Sequence, residues 1–406
     1  MNQRTICVFT GNRAEYGLQY PVLRAIDRHP DLDYRLLVSG AHLDPNFGST
    51  LVEIRGDGFH IYAEVKIEMD ASSLFATAQA IGSGVLAISR VLNELKPDMM
   101  VVYADRFEGF AAVIAASQMN IPTAHIEGGD LTEGGALDDS VRHAMTKLAH
   151  LHFTTNQQAT NRILAMGEED WRGHTVGVPA IDLISEGRFA STTEASETLS
   201  LDLSRPIVLF TQHSVSTEFS QAERQLAPSL LTIERLAAEG VQTVLTYPNN
   251  DAGGQAIIEQ LEIFGSVKKS NTQVCRSLGR HLYHGVLALA RDPSLRVACV
   301  GNSSSGIKET PAFGCPTVNI GSRQDGRLRG ENVIDADYDA DSIYTATWRC
   351  LYDDDFRELS QKAENPYWLG DAGPKIADVL ATAPLGQGII RKRMTLKGET
   401  QDGWYR

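Results

Sequence analysis

Two acidic residues stand at positions where carboxylates can do proton-transfer chemistry. Asp105 in YADRFEG and Glu127 in HIEGGD each follow directly after a short apolar run that is typical of a buried strand. A neighbouring charge, Arg106 for the first and His125 for the second, can tune the pKa of such a carboxylate for acid–base work. The alternative for either residue alone is a loop carboxylate that makes local turn hydrogen bonds.

The segment at residues 296–314, RVACVGNSSSGIKETPAFG, combines an apolar run, three serines and the start of a helix near Ile307. Small residues let a ligand approach the backbone. The N–H groups of the helix N-terminus and the hydroxyls of Ser303 and Ser304 would bind a diphosphate. Glu309, one turn further, would accept hydrogen bonds from ribose hydroxyls. The alternative is a serine N-cap with a capping-box glutamate.

Arginines would supply the positive charge for such a ligand. Arg323 lies in GSRQDGRLRG after an apolar run, and Arg13 lies in TGNRAEYG, a glycine-bounded turn after the first apolar run. A guanidinium pairs bidentately with phosphate oxygens. A solvated basic loop is the alternative for each.

The segment at residues 137–153, LDDSVRHAMTKLAHLHF, is predicted to open with a helix that has charged residues gathered at its start. Its candidate site residues are Asp138, Asp139, Arg142 and His143. Negative charge is favoured in a first helical turn, so a surface helix with acidic capping is the alternative. One further candidate, His213 in LFTQHSVSTEF, follows an apolar run in the second half, although a lone histidine is more often structural.

Apolar runs alternate with helical patterns through both halves of the chain, which favours parallel strands covered by helices on both faces. The predicted strands cover residues 5–9, 34–38, 99–103, 123–126, 207–210, 243–245, 296–300 and 317–320. A stretch rich in Ser, Thr and Glu at residues 187–205 is predicted to link two α/β domains. Ligands bind beyond the carboxyl ends of parallel strands, where the candidates fall, so we expect one cleft between the domains.

Composition restricts the class of protein. The chain has 406 residues, too many for one ordinary core, and its net charge of −14 argues against a nucleic-acid or anionic-membrane surface. Five scattered cysteines without a CxxC pair, no signal peptide and no membrane-length apolar run predict a cytoplasmic protein. No metal-ligand spacing or Walker A loop is present, so neither a metal nor a cofactor is expected.

Taken in order, TGNRAEYG, SGAHLD, ADRFEG, HIEGGD, LDDSVRHAMTKLAHLHF, YPNNDAGG, GNSSSGIKET and GSRQDGR resemble the hydrolysing UDP-N-acetylglucosamine 2-epimerases over roughly residues 5–335. The resemblance implies two Rossmann-like domains of GT-B type. Residues 1–187 would form the first domain, completed by a C-terminal helix within about residues 365–406, and residues 205–364 would form the second. Two departures are Ala104, where the family has glycine, and Ser214, where it has proline.

The resemblance also assigns roles to the candidates. Those implied to bind UDP are Arg13, Arg106, Ser303, Ser304, Glu309 and Arg323. Those implied to be catalytic are Asp105, Glu127, Asp138 or Asp139, and His213, with Arg142 and His143 in support. The implied reaction converts UDP-N-acetylglucosamine and water to N-acetylmannosamine and UDP through a glycal intermediate, on the route to sialic-type acids.

Three matters stay open at this point. The substrate is alternatively UDP-2,4-diacetamido-2,4,6-trideoxyglucose of legionaminic-acid pathways, and a GT-B glycosyltransferase would use the same UDP site. The carboxylate that takes the C2 proton is not identified. A homo-oligomer, dimer or tetramer, is expected from the family, and feedback by a CMP-sugar is left undecided.

Overall fold

The computed structural model describes residues 3–43, 51–67, 74–131, 137–249, 253–266 and 271–396. The chain divides into two compact units. Unit 1 comprises Met1–Asp130, Leu137–Asp182 and Tyr367–Arg406, and unit 2 comprises Leu131–Ala136 and Leu183–Pro366.

Unit 1 contains a seven-stranded parallel sheet with the strand order β3-β2-β1-β4-β5-β6-β7. Its strands are β1 Arg4–Thr10, β2 Leu32–Ser39, β3 Ile61–Val65, β4 Met99–Tyr103, β5 Thr123–Ile126, β6 Leu151–Thr154 and β7 Gly173–Thr175. Its helices are α1 Arg13–Arg28, α2 Leu51–Gly56, α3 Leu74–Leu95, α4 Phe107–Gln118, α5 Leu137–Leu148, α6 Gln157–Ala165 and α7 Ala180–Ser185, which runs into unit 2, and, near the C-terminus, α15 Ala372–Thr382 and α16 Gln387–Ile390.

Unit 2 contains a six-stranded parallel sheet with the order β10-β9-β8-β11-β12-β13. Its strands are β8 Ile207–Thr211, β9 Gln242–Thr246, β10 Thr272–Cys275, β11 Val297–Gly301, β12 Thr317–Ile320 and β13 Val333–Ala336. Its helices are α8 Thr192–Thr198, α9 Ala222–Ala238, α10 Gly254–Ser266, α11 Gly279–Ala288, α12 Ser305–Lys308, α13 Ala340–Tyr352 and α14 Asp354–Gln361. Numbered within the unit, the strand order is 3-2-1-4-5-6, that of a doubly wound Rossmann sheet.

The central strands of both sheets are buried on both faces. Every residue of β4, MMVVY, and of β8, IVLFT, is buried, because helices cover the two faces of each sheet. In unit 1, β1 pairs in parallel with both β2 and β4, and in unit 2, β8 pairs with both β9 and β11. The predicted pair of Rossmann-like sheets is confirmed.

The first helix differs from its prediction. The sequence suggested a loop up to residue 20 and a helix near residues 21–28, because Gly17 and Pro21 are poor helix residues. In the structure α1 begins at Arg13, and Asn12 caps it by accepting the backbone N–H of Glu15 at 3.0 Å. Burial of one face of α1 outweighs the cost of these two residues.

The predicted linker at residues 187–205 is also not purely irregular. Helix α8 lies inside it, and Ser191 caps this helix by accepting the N–H of Glu194. The Ser, Thr and Glu content that suggested a linker is equally typical of a short capped helix.

Helix α15 brings the end of the chain back to unit 1. The carboxylate of Asp182 accepts the N–H groups of Ala372 at 3.0 Å and Gly373 at 2.8 Å, so it satisfies the start of α15. A side chain at Gly373 would collide with the carbonyl oxygen of Pro21, which shows how closely α15 approaches α1. The predicted C-terminal helix returning to the first domain is confirmed.

One helix among the described residues, α3, includes a stretch, Phe75–Leu95, that is long and apolar enough to cross a membrane by length and composition alone. Its Ala80, Ile88 and Leu92 are buried in the core of unit 1 with strand and α4 side chains. Helices that pack on the sheets of water-soluble α/β proteins satisfy the same criterion.

Glu168 binds the C-terminal segment to the rest of unit 1. Its buried carboxylate lies 2.9 Å from Nε2 of His152, 2.6 Å from Nζ of Lys147 and 2.7 Å from Nζ of Lys392. Burial alone would raise the pKa of Glu168, but hydrogen bonds from these three residues outweigh it and lower the pKa to about 2.

We expect Glu168→Gln to lower the free energy of unfolding at pH 7 by about 2–3 kcal/mol. Since the folded pKa lies below the unfolded value of 4.5, this stabilisation is complete above about pH 4.5 and is lost as the pH falls toward 2. Urea unfolding of both proteins at pH 7 and pH 3 measures it. Glu358→Gln, which removes an exposed ion pair with Lys362, should leave the free energy of unfolding nearly unchanged at both pH values. An equal loss at both pH values, or no loss, contradicts the assignment.

Candidate active site

In unit 1 the order of the strands reverses between β1 and β4, so the loops after these two strands diverge at the carboxyl edge of the sheet. Such a switch point leaves a crevice in which open α/β sheets bind ligands. Asp105 follows β4, and Glu127 follows the neighbouring strand β5. The sheet therefore brings the two predicted carboxylates to one edge.

Asp105 is held by a buried arginine of α5. Nη2 of Arg142 donates to Oδ2 of Asp105, and the Arg142 side chain is only 2% exposed. Nη1 of Arg142 also lies 3.8 Å from Oδ1 of the buried Asp139. The pair fixes the direction of the Asp105 carboxylate, which remains 15% exposed.

Arg106, expected as the charge partner of Asp105, lies near a different carboxylate. Its Nε is 3.8 Å from Oε2 of the buried Glu108. Close by, Oε2 of the buried Glu15 accepts the N–H of Gly11 at 2.6 Å. Burial, helped by the charge of Glu108, raises the pKa of Glu15 to about 8, so this carboxyl keeps its proton at neutral pH.

Sequence reasoning missed both of these buried carboxyls. The available signal was their spacing, since Glu15 and Glu108 each stand five positions after the last residue of a strand, Thr10 and Tyr103.

Glu127 is buried at the end of β5 and receives a hydrogen bond from the neighbouring strand. Oη of Tyr103 donates to its Oε1 at 2.8 Å. The backbone of Glu127 has φ +64, and that of Ala104, before Asp105, has φ +56. Left-handed conformations cost a non-glycine residue roughly 1 kcal/mol or more and concentrate at functional sites. They also explain why glycine suits the position of Ala104.

His125 is not the charge partner of Glu127. Nε2 of His125 lies 2.6 Å from the carbonyl oxygen of Ala104 and Nδ1 lies 3.2 Å from Oγ1 of Thr146. Burial lowers the pKa of His125 to about 4, so the ring is neutral and donates from Nε2 to the carbonyl. Side chains two positions apart, such as those of His125 and Glu127, lie on the same face only within a regular strand. Glu127 lies beyond the end of β5, so the expected pairing does not form.

The helix predicted to open the segment at residues 137–153 is α5, which ends at Leu148 before strand β6. Asp138 and Asp139 stand in its first turn, half-buried and buried respectively. His143 is half-buried, and burial lowers its pKa, with Asp139 opposing the shift and Arg142 adding to it. Of these residues, it is Arg142 that contacts Asp105 directly.

In unit 2 the corresponding switch point lies between β8 and β11. His213 follows β8. Asn302 follows β11, and its side chain binds both backbone polar groups of His213. Oδ1 of Asn302 accepts the N–H of His213 at 2.6 Å, and Nδ2 donates to its carbonyl oxygen at 2.9 Å. The backbone N–H of Asn249, after β9, donates to Nδ1 of the His213 ring at 3.0 Å. Oδ1 of Asn249 lies 3.1 Å from the same Nδ1, so Asn249 positions the His213 ring through two of its groups.

The serine segment after β11 is tied together by its own hydroxyls. Oγ of Ser305 lies 3.1 Å from Oγ of Ser303 and 2.7 Å from Oη of Tyr283. Helix α12 begins at Ser305, earlier than expected, and spans four residues. Ser304 is its N-cap residue, but its hydroxyl makes no capping hydrogen bond, unlike that of an ordinary serine N-cap.

Glu309 does not form a capping box. Its Oε2 lies 2.8 Å from Nε2 of His284, a buried residue of α11. Sequence reasoning missed His284, Tyr283, Asn249 and Asn302. Asn302 stands two positions and Asn249 four positions after the end of a predicted strand, which was a usable signal, whereas nothing in the sequence marks His284.

The arginines differ in their partners. Arg323 follows β12, is half-buried, and donates from Nη1 to the carbonyl oxygen of Asn302 at 3.2 Å. Arg329 of the same loop lies 3.1 Å from Asp335 and 3.8 Å from Asp325. Arg13 is the first residue of α1, and its side chain lies outside the described part of the structure.

Two named relatives are similar to this chain over most of its length. The chain is 32% identical to the UDP-N,N'-diacetylbacillosamine 2-epimerase (hydrolyzing) of Legionella pneumophila, over 96% of this chain and 98% of that protein. It is 31% identical to the UDP-N-acetylglucosamine 2-epimerase of Neisseria meningitidis serogroup B, over 85% of this chain and 86% of that protein.

The fold resembles the crystal structure of UDP-GlcNAc 2-epimerase from Neisseria meningitidis bound to UDP-GlcNAc, with a TM-score of 0.77 and 18% identity, over 93% of this chain and 99% of that one. The sequence profile described as UDP-N-acetylglucosamine 2-epimerase matches residues 24–381. This chain therefore belongs to the UDP-N-acetylglucosamine 2-epimerase family of enzymes.

Proposed function

We propose that the protein is a hydrolysing 2-epimerase that converts UDP-N-acetylglucosamine and water to N-acetylmannosamine and UDP, a step toward sialic-type acids. The observation that carries the proposal is the pair of strand-end carboxylates, Asp105 and Glu127, in a chain of this family. Asp105 is oriented by a buried arginine and Glu127 by a tyrosine hydroxyl.

The proposed reaction has two stages. A base removes the proton from C2 while the bond between C1 and the diphosphate oxygen breaks, so that UDP leaves with the electron pair and a C1–C2 double bond forms. Water then adds its hydroxyl to C1 and a proton to C2 from the face that inverts C2. Asp105 and Glu127 are the proposed proton carriers, with Asp138 or Asp139 and His213 assisting the hydration.

A second group of residues is proposed to bind UDP. Ser303 and Ser304 would donate hydrogen bonds to phosphate oxygens, and Glu309 would accept from the ribose. Arg13, Arg106 and Arg323 would stabilise the charge that develops on the leaving diphosphate.

We expect Arg323→Ala to weaken UDP binding by about 10- to 100-fold, because a charge-assisted hydrogen bond to phosphate contributes about 1.5–3 kcal/mol. Isothermal titration with UDP measures the change. Arg329→Ala is the matched control from the same loop, and since that arginine is paired with Asp335 it should leave the Kd within about twofold. Equal effects of the two substitutions would remove Arg323 from the phosphate site.

A second substrate is favoured by one observation. The Legionella pneumophila protein, similar to this chain over nearly its whole length, is named for a diacetylated bacillosamine sugar. UDP-2,4-diacetamido-2,4,6-trideoxyglucose is therefore the alternative substrate, with the same chemistry at C1 and C2.

Incubation of the enzyme with each UDP-sugar tests the proposal. The expected result is stoichiometric UDP and a free sugar inverted at C2, without any added acceptor, from one of the two substrates. UDP release that depends on an acceptor sugar would instead indicate a glycosyltransferase.

We further propose a cytoplasmic homo-oligomer. Five unpaired cysteines, four of them buried, support a reducing compartment. On the apolar helix α3 the side chains of Phe75 and Leu86 are 74% and 65% exposed, which supports a subunit contact that light scattering can check.

A further inference from the structure

Helix α11 carries two neighbouring side chains that contact opposite ends of the proposed nucleotide-binding segment. Oη of Tyr283 lies 2.7 Å from Oγ of Ser305, which in turn lies 3.1 Å from Oγ of Ser303. Nε2 of His284 lies 2.8 Å from Oε2 of Glu309. One helix therefore supports both the serine hydroxyls and the carboxylate.

The His284 ring is positioned by packing. The residue is only 2% exposed, and its ring centroid lies 5.5 Å from that of Phe313. Because a carboxylate only accepts, Nε2 of His284 donates to Glu309. Among the described residues Nδ1 has no hydrogen-bond partner, so the contact with Glu309 is the polar interaction that orients this ring.

The contact with His284 leaves acceptor capacity on Glu309. A carboxylate offers about four lone-pair sites, and the single hydrogen bond from Nε2 occupies one of them. The side chain of Glu309 is 11% exposed, so part of it remains accessible while its direction is fixed. A carboxylate held in this way can accept from both hydroxyls of a vicinal diol without first losing side-chain freedom.

We propose that His284 is a positioning residue that makes the nucleotide site select ribose over deoxyribose, by holding the Glu309 carboxylate toward the 2′ and 3′ hydroxyls. The inference rests on the proposed function, in which Glu309 accepts from the ribose of UDP. A site built to bind a hydroxyl rejects the ligand that lacks it, because its polar group is then left unpaired.

Titration of the full-length enzyme with UDP and with 2′-deoxy-UDP tests this role. The wild type should prefer UDP by about tenfold or more. His284→Phe, which keeps a ring but removes the donor, should weaken UDP about tenfold and 2′-deoxy-UDP much less, so that the preference falls toward one. His284→Gln, which returns an N–H donor, should restore most of the preference.

A matched control lies on the same helix. His281 makes a comparable contact with Glu194, at 3.1 Å, but both side chains are more than half exposed, and neither belongs to the proposed nucleotide site. His281→Phe should leave both Kd values and their ratio unchanged.

The outcomes distinguish a failure of the role proposed for His284 from a failure of the proposed function. If the wild type does not bind UDP, the proposed function fails. If the wild type binds UDP but has no preference, or if His284→Phe weakens both nucleotides equally, UDP binding stands and the role of His284 is overturned. Unchanged melting temperatures for the variants would exclude a loss of folding as the cause.

Discussion

Replacement of Asp105 by asparagine is expected to lower kcat by about 1000-fold or more while the Kd for UDP changes by less than about threefold. Asparagine has the shape of aspartate and can still accept a hydrogen bond from Arg142, but it cannot take up a proton at neutral pH. The carboxylate is 15% exposed, so it is accessible to a substrate, whereas Arg142 is 2% exposed. The loss should therefore fall on the chemical step and spare nucleotide binding.

The substitution also leaves Arg142 with a weaker partner, and a control must separate that effect from catalysis. Glu169→Gln is matched to it, because Glu169 lies 2.7 Å from Nε of Arg172, another buried arginine of unit 1. Both variants should lose similar stability, and Glu169→Gln should keep kcat within about twofold. Near-full activity of Asp105→Asn would remove Asp105 from the reaction, and a comparable loss in Glu169→Gln would attribute it to folding.

Replacement of Glu127 by glutamine is expected to lower kcat by about 100- to 10,000-fold, with UDP affinity retained. The amide oxygen of glutamine can still accept the hydrogen bond from Tyr103, which donates to Oε1 at 2.8 Å, so the geometry is preserved while proton transfer is lost. Single-turnover measurement of UDP release gives the chemical rate directly.

Two further variants bracket the Glu127 result. Tyr103→Phe removes only the orienting hydrogen bond and should lower kcat by about tenfold or less, whereas Glu64→Gln, in an exposed pair with Arg55, should have no effect. If Tyr103→Phe were as inactive as Glu127→Gln, the tyrosine would itself be the proton carrier.

Asp105→Asn and Glu127→Gln also show which carboxylate acts in which of the two stages. A variant that lacks the C2 base releases no UDP, whereas one that lacks the hydration group releases UDP together with the glycal. Product analysis of Asp105→Asn and Glu127→Gln therefore identifies the base.

The positions of the candidate residues at strand ends could be predicted, because a fully apolar run that stops at polar residues, such as MMVVY before Ala104, is a strong local signal. The helix boundaries were less predictable. At α1, capping by Asn12 and burial of one face override a proline at position 21, and neither effect is visible in local composition.

The partners of the catalytic candidates could not be predicted at all. Sequence neighbours suggested Arg106 for Asp105 and His125 for Glu127, but the contacts are made by Arg142 from α5 and Tyr103 from β4. Such contacts depend on which side chains adjacent elements present to one another, and sequence distance carries little of that information.

Product formation in deuterated water tests the central claim most directly. The enzyme is incubated with UDP-N-acetylglucosamine in deuterated water, and the free sugar is analysed by NMR. Elimination followed by hydration predicts UDP, N-acetylmannosamine and one solvent deuterium at C2 of every product molecule. A free sugar that retains its original hydrogen at C2 would contradict the account.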